Sequence, residues 1–391
     1  MRKRHLSRRV RTGGAARVAH LNDNSRGRSR RLTMPRLLLA LCVLLGSAPG
    51  LANAQAPDWN GAVLEHEGSW YATPQARGIA DAVVKHQSPE GGWPKNTSLA
   101  VAPDAAPVDD GLKNTFDNQA TTLPMAFLAR VIHAGERRGD REAFDRGLDY
   151  ILAAQYPNGG WPQFYPLRQG YWSHITFNDD AMIRVMTLLR DIAAGEPPYE
   201  FVDAGRRARA AEAVARGTQL ILATQIRQDG VLTAWCAQYD AQTLEPAWAR
   251  RYEPPSLSGS ESVGIVRFLM AIPDPSPEVV AAVDAAVRWF EASALPGVRF
   301  GTVTTADGER DARLLADPEA GPLWARFYEL GTNRPIFVSR DSVVHYDIAE
   351  IERERRTGYR YYGDWPLALI REAYPAWRRE LDARRTAPAA T

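Results

Sequence analysis

Gln87-Ser-Pro-Glu-Gly-Gly-Trp-Pro94 and Gln155-Tyr-Pro-Asn-Gly-Gly-Trp-Pro162 are one motif written twice. Each is followed by a second shared motif, Thr115-Phe-Asp-Asn-Gln-Ala120 and Thr176-Phe-Asn-Asp-Asp-Ala181. A weaker third copy runs Gln225-Ile-Arg-Gln-Asp-Gly230 with Trp235, then Ser258-Gly-Ser-Glu-Ser262. The glutamines lie 68 and 70 residues apart, a period that accommodates one helical hairpin per unit. Asp117, Asp179 and Glu261 then recur at equivalent places, where a repeated architecture can bring them to one mouth.

Between the motifs the apolar spacing is helical. Leu123, Phe127, Leu128, Val131 and Ile132 mark one helix within Asn118–Gly135, and Phe144, Leu148, Ile151 and Leu152 mark the next, Arg141–Tyr156. Further helices are expected at Ile79–His86, Asp179–Ala193, Ala204–Gln225, Glu261–Ile272 and Ser276–Ser293, with a polar one at Asp347–Thr357. Short extended pieces are expected at Val298–Thr304 and Pro335–Val338. Long strict alternation is lacking, which disfavours an all-β fold. The expectation is an all-α protein, with three hairpins between residues 115 and 293 closing into an (α/α)3 toroid and irregular extensions at either end. An open solenoid is the competing geometry.

The small net charge conceals an asymmetry. Residues 1–54 carry 12 Lys/Arg and one acid, leaving residues 55–391 with a net charge of −9, which speaks against a nucleic-acid partner. Met34-Pro-Arg36, the apolar run Leu37–Leu45 and Ala52-Asn-Ala54 have the pattern of a secretory signal. The run is too short to span a membrane. Residues 1–33 are then best explained by a start codon assigned too early, the alternative being a genuine basic tail. A leader over 1–54 and a single catalytic domain over 55–391 follow, as does a bacterial product that is secreted or periplasmic. Beyond the leader Cys236 is the one cysteine, so disulfides and thiolate metal sites are excluded.

Each motif has a structural reading beside a chemical one. The glycines permit a backbone reversal after a helix, Pro restarts the chain and Trp covers the joint. Trp93, Trp161, Tyr165 and Tyr171 are also candidates for sugar-stacking platforms. Thr-Phe-Asp-Asn and Thr-Phe-Asn-Asp precede helices and read plainly as caps. Two adjacent polar residues at both places exceed what a cap needs, and hard oxygen donors on neighbouring helices suit Ca²⁺. Asp117 and Asp179 are therefore the candidate ligands, with Asp180 the cap. Arg250 and Arg251, Arg326, Arg334 and Arg340 lie among aromatics in an acidic body, as an anion site requires. A cation site beside an arginine cluster suits an acidic polysaccharide.

At these residues the chain resembles the family 10 polysaccharide lyases, which are pectate lyases. The likeness runs over residues 75–366 and is carried by Gly91-Gly-Trp-Pro-Lys-Asn96, Thr115-Phe-Asp-Asn118, Thr176-Phe-Asn-Asp179, Leu244-Glu-Pro-Ala-Trp-Ala-Arg250, Ser258-Gly-Ser-Glu-Ser262, Ala325-Arg-Phe-Tyr-Glu329 and Tyr361-Tyr-Gly363. The resemblance implies cleavage of α-1,4-linked polygalacturonate by β-elimination, with Ca²⁺ bridging enzyme and substrate and 4,5-unsaturated oligogalacturonides as products. It implies Arg250 as the base that takes the C5 proton, Asp117 and Asp179 at the calcium and substrate site, and Arg326 and Arg340 on the galacturonate carboxylates. Asn118, Lys95 and Arg334 join as groove candidates. His345 and Tyr361 depart from the family pattern, which has lysine and tryptophan there. A monomer without membrane contact in its mature form is expected.

The chemistry accounts for these residue types. The C5 proton lies α to a carboxylate, and removing it builds an enolate-like dianion that cations and arginines stabilise. An arginine base is unusual, because guanidinium normally stays protonated; desolvation beside other cations is the expected remedy. A glycoside hydrolase using paired carboxylates as acid and base leaves the arginines unexplained. A terpene-cyclase-like enzyme fits neither export nor the lack of an acid-rich diphosphate motif. A non-catalytic pectin-binding protein has no use for the base.

Overall fold

The computed structural model of the chain describes residues 59–103 and 109–386. The leader and its signal-like segment lie outside the described residues. Residues 55–391 form one compact unit.

Seven of the helices follow the repeat: α1 (Pro74–His86), α2 (Thr122–Ala134), α3 (Arg138–Ala153), α4 (Ala181–Ala194), α5 (Ala204–Thr224), α6 (Glu261–Met270) and α7 (Pro277–Ser293). α8 (Arg353–Gly358) and α9 (Tyr374–Thr386) follow near the C-terminus. α2, α4 and α6 pack in one row and α1, α3, α5 and α7 in a second, with each hairpin linking the rows. α1 starts earlier than periodicity suggests because Thr73 accepts a hydrogen bond from Ala76 N (3.3 Å) and Pro74 occupies the first helical position. Of the polar helix expected over 347–357, the last part is α8, preceded by a one-turn 3₁₀ segment Ile348–Glu350.

The expectation of an all-α (α/α)3 toroid is corrected by the connections, which are β-structure. Among the described residues, twelve strands make six two-stranded antiparallel ladders. They are β1 (Ile175–Thr176), β2 (Arg227–Gln228), β3 (Val231–Leu232), β4 (Gln238–Tyr239), β5 (Leu257–Ser258), β6 (Val298–Thr304), β7 (Arg310–Ala316), β8 (Trp324–Ala325), β9 (Phe327–Tyr328), β10 (Phe337–Val338), β11 (Val344–His345) and β12 (Tyr362–Gly363). The pairs are β1–β4, β2–β3, β5–β9, β6–β7, β8–β12 and β10–β11. Ten of these strands are two residues long, too short to show alternation in a sequence. The long hairpin β6–β7 pairs Val298 with Ala316 and Thr304 with Arg310, and its first strand is the extended piece read from the sequence.

The repeated turn motif is a hydrogen-bonding device. Gln87 Nε2 donates to Gly91 O (2.9 Å) in its own turn and to Ala143 O (2.8 Å) on α3. Gln155 Nε2 does the same to Gly159 O (3.0 Å) and to Ala213 O (2.8 Å) on α5. Gln225 Nε2 donates to Thr233 O (2.8 Å) and to Ala282 O (2.9 Å) on α7. Each glutamine thus stitches the end of one second-row helix to the next. The tryptophans bind backward: Trp93 Nε1 to Val83 O (2.8 Å), Trp161 Nε1 to Ile151 O (2.9 Å) and Trp235 Nε1 to Ile221 O (2.7 Å). Trp324 Nε1 to Phe290 O (2.8 Å) is a fourth instance after α7, which the sequence motif does not announce. Trp93 and Trp161 are wholly buried and cannot serve as sugar platforms.

Gly159 shows why the turn needs glycine. Its φ is +96°, and a Cβ there would lie 2.3 Å from Arg216 O. Gly159→Ala is expected to cost about 2–4 kcal/mol of stability. Gly170→Ala, at φ +91° but with nothing within 4 Å, should cost only about 1 kcal/mol. Denaturant unfolding of the two variants checks this, and equal losses would show that the close approach does not matter.

Candidate active site

The second shared motif forms one-turn 3₁₀ segments, Asp117–Gln119 and Asn178–Asp180, which pack against each other. Asn118 (φ 51°) and Gln119 (φ 62°) are left-handed, as are Asp179 (φ 51°) and Asp180 (φ 58°). Two consecutive non-glycine residues in this region cost roughly 1–3 kcal/mol each, strain that persists where surrounding contacts impose it. The shared conformation aligns Asn118 with Asp179 and Asp117 with Asn178, so the aspartates Asp117 and Asp179 are not equivalent positions. The third copy, Ser258–Ser262, lacks the left-handed pair, and Glu261 opens α6 directly.

Capping is not what these motifs do. Neither Thr121 nor Asp180, at the N-caps of α2 and α4, makes a side-chain capping bond. Thr121 Oγ1 instead donates to Thr115 O (2.9 Å) and accepts from Trp93 N (3.3 Å), tying the two shared motifs together.

A polar cleft of about 500 Å³ opens over these turns, lined by Asn118, Gln119, Asp179, Asp180, Arg184, Ser260, Glu261, Arg326, Arg360 and Trp365. Arg326 is its central cation. Its guanidinium NH2 reaches Asp179 Oδ1 (3.0 Å) and forms an ion pair with Glu261. Its side chain is 11% exposed and its Nε is buried without a partner. Burial pulls its pKa down, but the charges of Glu261 and Asp179 hold it above the ordinary arginine value. Arg326 N donates to Tyr361 O (2.7 Å) and Gly259 N to Arg326 O (3.1 Å), so the residue between β8 and β9 is fixed from both sides. Glu261 is buried; it is bonded by Ser258 Oγ, and Glu261 N donates to that hydroxyl (2.9 Å).

Asp180 carries the clearest electrostatic signature in the cleft. Burial pushes its carboxyl up to about 6, with Glu261 and Asp179 adding to the rise and Arg184 opposing it. Asn178 Nδ2 donates to Asp179 Oδ2 (2.9 Å). Among the described residues no three His, Cys, Asp or Glu side chains converge as a ready metal cage. The donor chemistry still fits a hard dication, because Asp179, Asp180 and the Asn118 amide line one cleft where carboxylates crowd. The remaining ligands would have to come from water and from an anionic substrate.

Asp117 lies beside this cleft rather than in its lining. It is buried, and Lys95 Nζ holds it at 2.7 Å. Lys95, with Asn96, Asn118 and Gln119, lines a neighbouring cleft of about 320 Å³ that shares the Asn118–Gln119 wall. Asn118 Nδ2 donates to Asn96 Oδ1 (2.9 Å).

Arg250 sits on a second cluster that meets the first at Tyr359. Its Nε donates to Glu253 Oε2 (2.9 Å), its NH2 bonds Glu253 Oε1, and its guanidinium lies 5.0 Å from the Tyr252 ring and 5.9 Å from the Tyr359 ring. Arg326 lies 5.2 Å from the same Tyr359 ring. Tyr359 Oη donates to Glu253 Oε1 (3.0 Å). Burial alone would lower the pKa of Arg250, but the hydrogen bonds and charge of Glu253 raise it above the ordinary value. Desolvation as the means of freeing an arginine base is therefore overridden in this structure. Arg251, by contrast, is exposed.

Arg340 and Arg334 are placed elsewhere. Arg340 is exposed and paired with Glu354 (2.9 Å), and Arg334 is exposed and stacked on Tyr346 (3.7 Å). Neither lines the cleft. Tyr361 is fully buried and bonds Val338 O (2.8 Å), while His345 faces Glu350 (3.3 Å), so both departures are local structural choices. Asp180, Arg184, Arg360, Trp365, Glu253 and Tyr359 were missed from sequence. Asp180 and Glu253 were in view, since they adjoin Asp179 and follow Arg250, but the role of each depends on burial.

Residues 87–370 match the Pectic acid lyase family. The chain belongs to that family. A family 10 polysaccharide lyase from Cellvibrio cellulosa superposes with a TM-score of 0.70 at 36% identity, covering 79% of this chain and 95% of that one. An aspartate-to-alanine mutant of the family 10 polysaccharide lyase from Cellvibrio cellulosa, in complex with trigalacturonic acid, matches equally, with TM-score 0.70, 36% identity, 80% of this chain and 98% of that one. No curated protein matches the chain. The protein is a pectate lyase.

Proposed function

We propose that this pectate lyase cleaves polygalacturonate by β-elimination in the Asp179–Arg326 cleft, with Ca²⁺ as cofactor and Arg250 as the group that takes the C5 proton. The observation that carries the reading is that Arg326 and Arg250 share the Tyr359 ring. Arg326 lies among the cleft carboxylates, at 5.2 Å from that ring, and Arg250 lies at 5.9 Å in a separate cluster. We assign the first guanidinium to a substrate carboxylate and the second to the carbon beside it. The complex of a relative with trigalacturonic acid supports an oligogalacturonate as ligand.

Arg326 orients the galacturonate carboxylate and takes up the charge that develops as C5 loses its proton, the term that usually contributes most in such reactions. Arg184 and Arg360 line the same cleft and add positive charge opposite its carboxylates. Asp179 is the carboxylate proposed for the calcium, with Asp180 beside it. Asp117, now paired with Lys95, would be a second carboxylate for that ion, and Asn118 would offer its amide to the sugar. Bound Ca²⁺ would supply Lewis-acid polarisation of the substrate carboxylate. Arg250 must leave Glu253 to accept a proton, because that carboxylate holds it protonated. Arg340 and Arg334 stay outside this assignment, as distal groove residues.

Chelation tests the metal. Treatment with EGTA should abolish the ultraviolet absorbance rise on polygalacturonate, and added Ca²⁺ should restore it. Full activity after exhaustive chelation would remove the cofactor from the proposal. Export by the segment 34–54 belongs to the same proposal, supported by its basic start, apolar core and Ala52-Asn-Ala54. Among the described residues no helix is long and apolar enough to cross a membrane.

A further inference from the structure

Arg355 is a buried cation that forms no salt bridge with a carboxylate among the described residues. It is 5% exposed, and neither its Nε nor its NH2 has a hydrogen-bond partner. The other charged residues of α8 are matched: Arg353 with Asp307, Arg356 with Asp311, and Glu354 with Arg340. What holds Arg355 is aromatic, together with a side-chain hydrogen bond to Tyr361. Its guanidinium lies 3.7 Å from the Tyr252 ring centroid and 4.8 Å from that of Tyr359. These are the two rings over which Arg250 lies, and Tyr359 is also the ring beside Arg326. Burying a guanidinium with no carboxylate is costly unless its surroundings compensate, and stacking on aromatic faces supplies part of that compensation.

We propose that Arg355 is a positioning residue for the elimination, wedging Tyr252 and Tyr359 into the arrangement that carries Arg250 and holding a second fixed positive charge beside it. This rests on the reading of Arg250 as the proton acceptor. Arg355 is too buried to grip a polysaccharide directly, so its influence passes through the two rings and through its field. A neighbouring cation disfavours the protonated form of Arg250 and opposes the effect of Glu253. The other groups facing the cluster are Tyr171, Glu261 and Arg326 across it, Tyr361 after α8, and the Arg340–Glu354 pair at its edge.

The test is a pH profile of kcat and KM on polygalacturonate for the full chain carrying Arg355→Gln or Arg355→Lys, with thermal melts alongside. Arg355→Gln should lower kcat about 10- to 100-fold, leave KM within about twofold, and move the rising alkaline limb to higher pH, because removing the cation raises the pKa of the proton acceptor. Arg355→Lys keeps the charge and loses the planar stack, so kcat should fall while the limb stays in place. A raised KM at unchanged kcat would make Arg355 a substrate contact and overturn the proposal. A loss of activity in proportion to folded fraction, with an unmoved limb in Arg355→Gln, would reduce it to a structural residue. If Arg355→Gln does not fold, Arg355→Lys decides: wild-type kcat there also overturns the proposal. Absence of any elimination by the wild-type enzyme would instead refute the pectate-lyase reading itself.

Discussion

Arg326→Lys is expected to lower kcat/KM on polygalacturonate by about 100- to 1,000-fold while the protein stays folded. Lysine keeps a positive charge near the buried carboxylate of Glu261, so the ion pair survives in part. It loses the NH2 nitrogen that meets both Glu261 and Asp179, and with the planar fork it loses bidentate recognition of a galacturonate carboxylate. Arg326→Ala goes further. It leaves Glu261, whose side chain is 2% exposed, without its counter-charge, and removing one member of a buried pair costs about 3–5 kcal/mol. Steady-state kinetics and thermal unfolding of the two variants separate recognition from folding. Near wild-type kcat/KM in a folded Arg326→Lys would show that the planar fork is not used in the reaction.

Arg250→Lys should reduce kcat by about 100- to 10,000-fold near neutral pH, with little change in melting temperature. Its charge on Glu253 is retained, and its donor geometry and stacking over Tyr252 and Tyr359 are lost. Near-normal activity would remove Arg250 as the base. Glu253→Gln makes the complementary case. Glu253 raises the pKa of Arg250, so its neutralisation lowers that pKa and should move the rising limb of the rate profile to lower pH. An unmoved limb would mean that Arg250 acts as a fixed cation and that another group takes the proton.

The helical frame was legible because the turn motif does the same physical job at each occurrence: Gln87, Gln155 and Gln225 each close a turn and reach the next second-row helix. The β-ladders were hidden, since two residues leave no alternation to read. α9 was missed because Tyr374–Thr386 is dominated by charge, with its arginines obscuring the apolar face that includes Trp377. The site was in view at Arg326, which lines the cleft, although its partners there are the carboxylates of Asp179 and Glu261 and not only the aromatics beside it in the sequence. It failed where the role depends on a distant partner. Arg340 lies among aromatics in the sequence, but its carboxylate partner Glu354 is 14 residues away. Asp117 and Asp179 read as equivalent until the left-handed pairs showed their registers to differ by one. Asp180 passed for a cap because its crowding by the charges of Glu261 and Asp179 leaves no trace in the sequence.

The most direct test of the account is the chemistry of the product. Purified enzyme, Ca²⁺ and polygalacturonate would be followed for ultraviolet absorbance and for new reducing ends in the same reaction. Elimination predicts that the two rise together in equal molar amounts, because every cleavage leaves one conjugated 4,5-unsaturated uronide. Reducing ends without absorbance would mean hydrolysis and would contradict the assignment of the Asp179–Arg326 cleft as a lyase site.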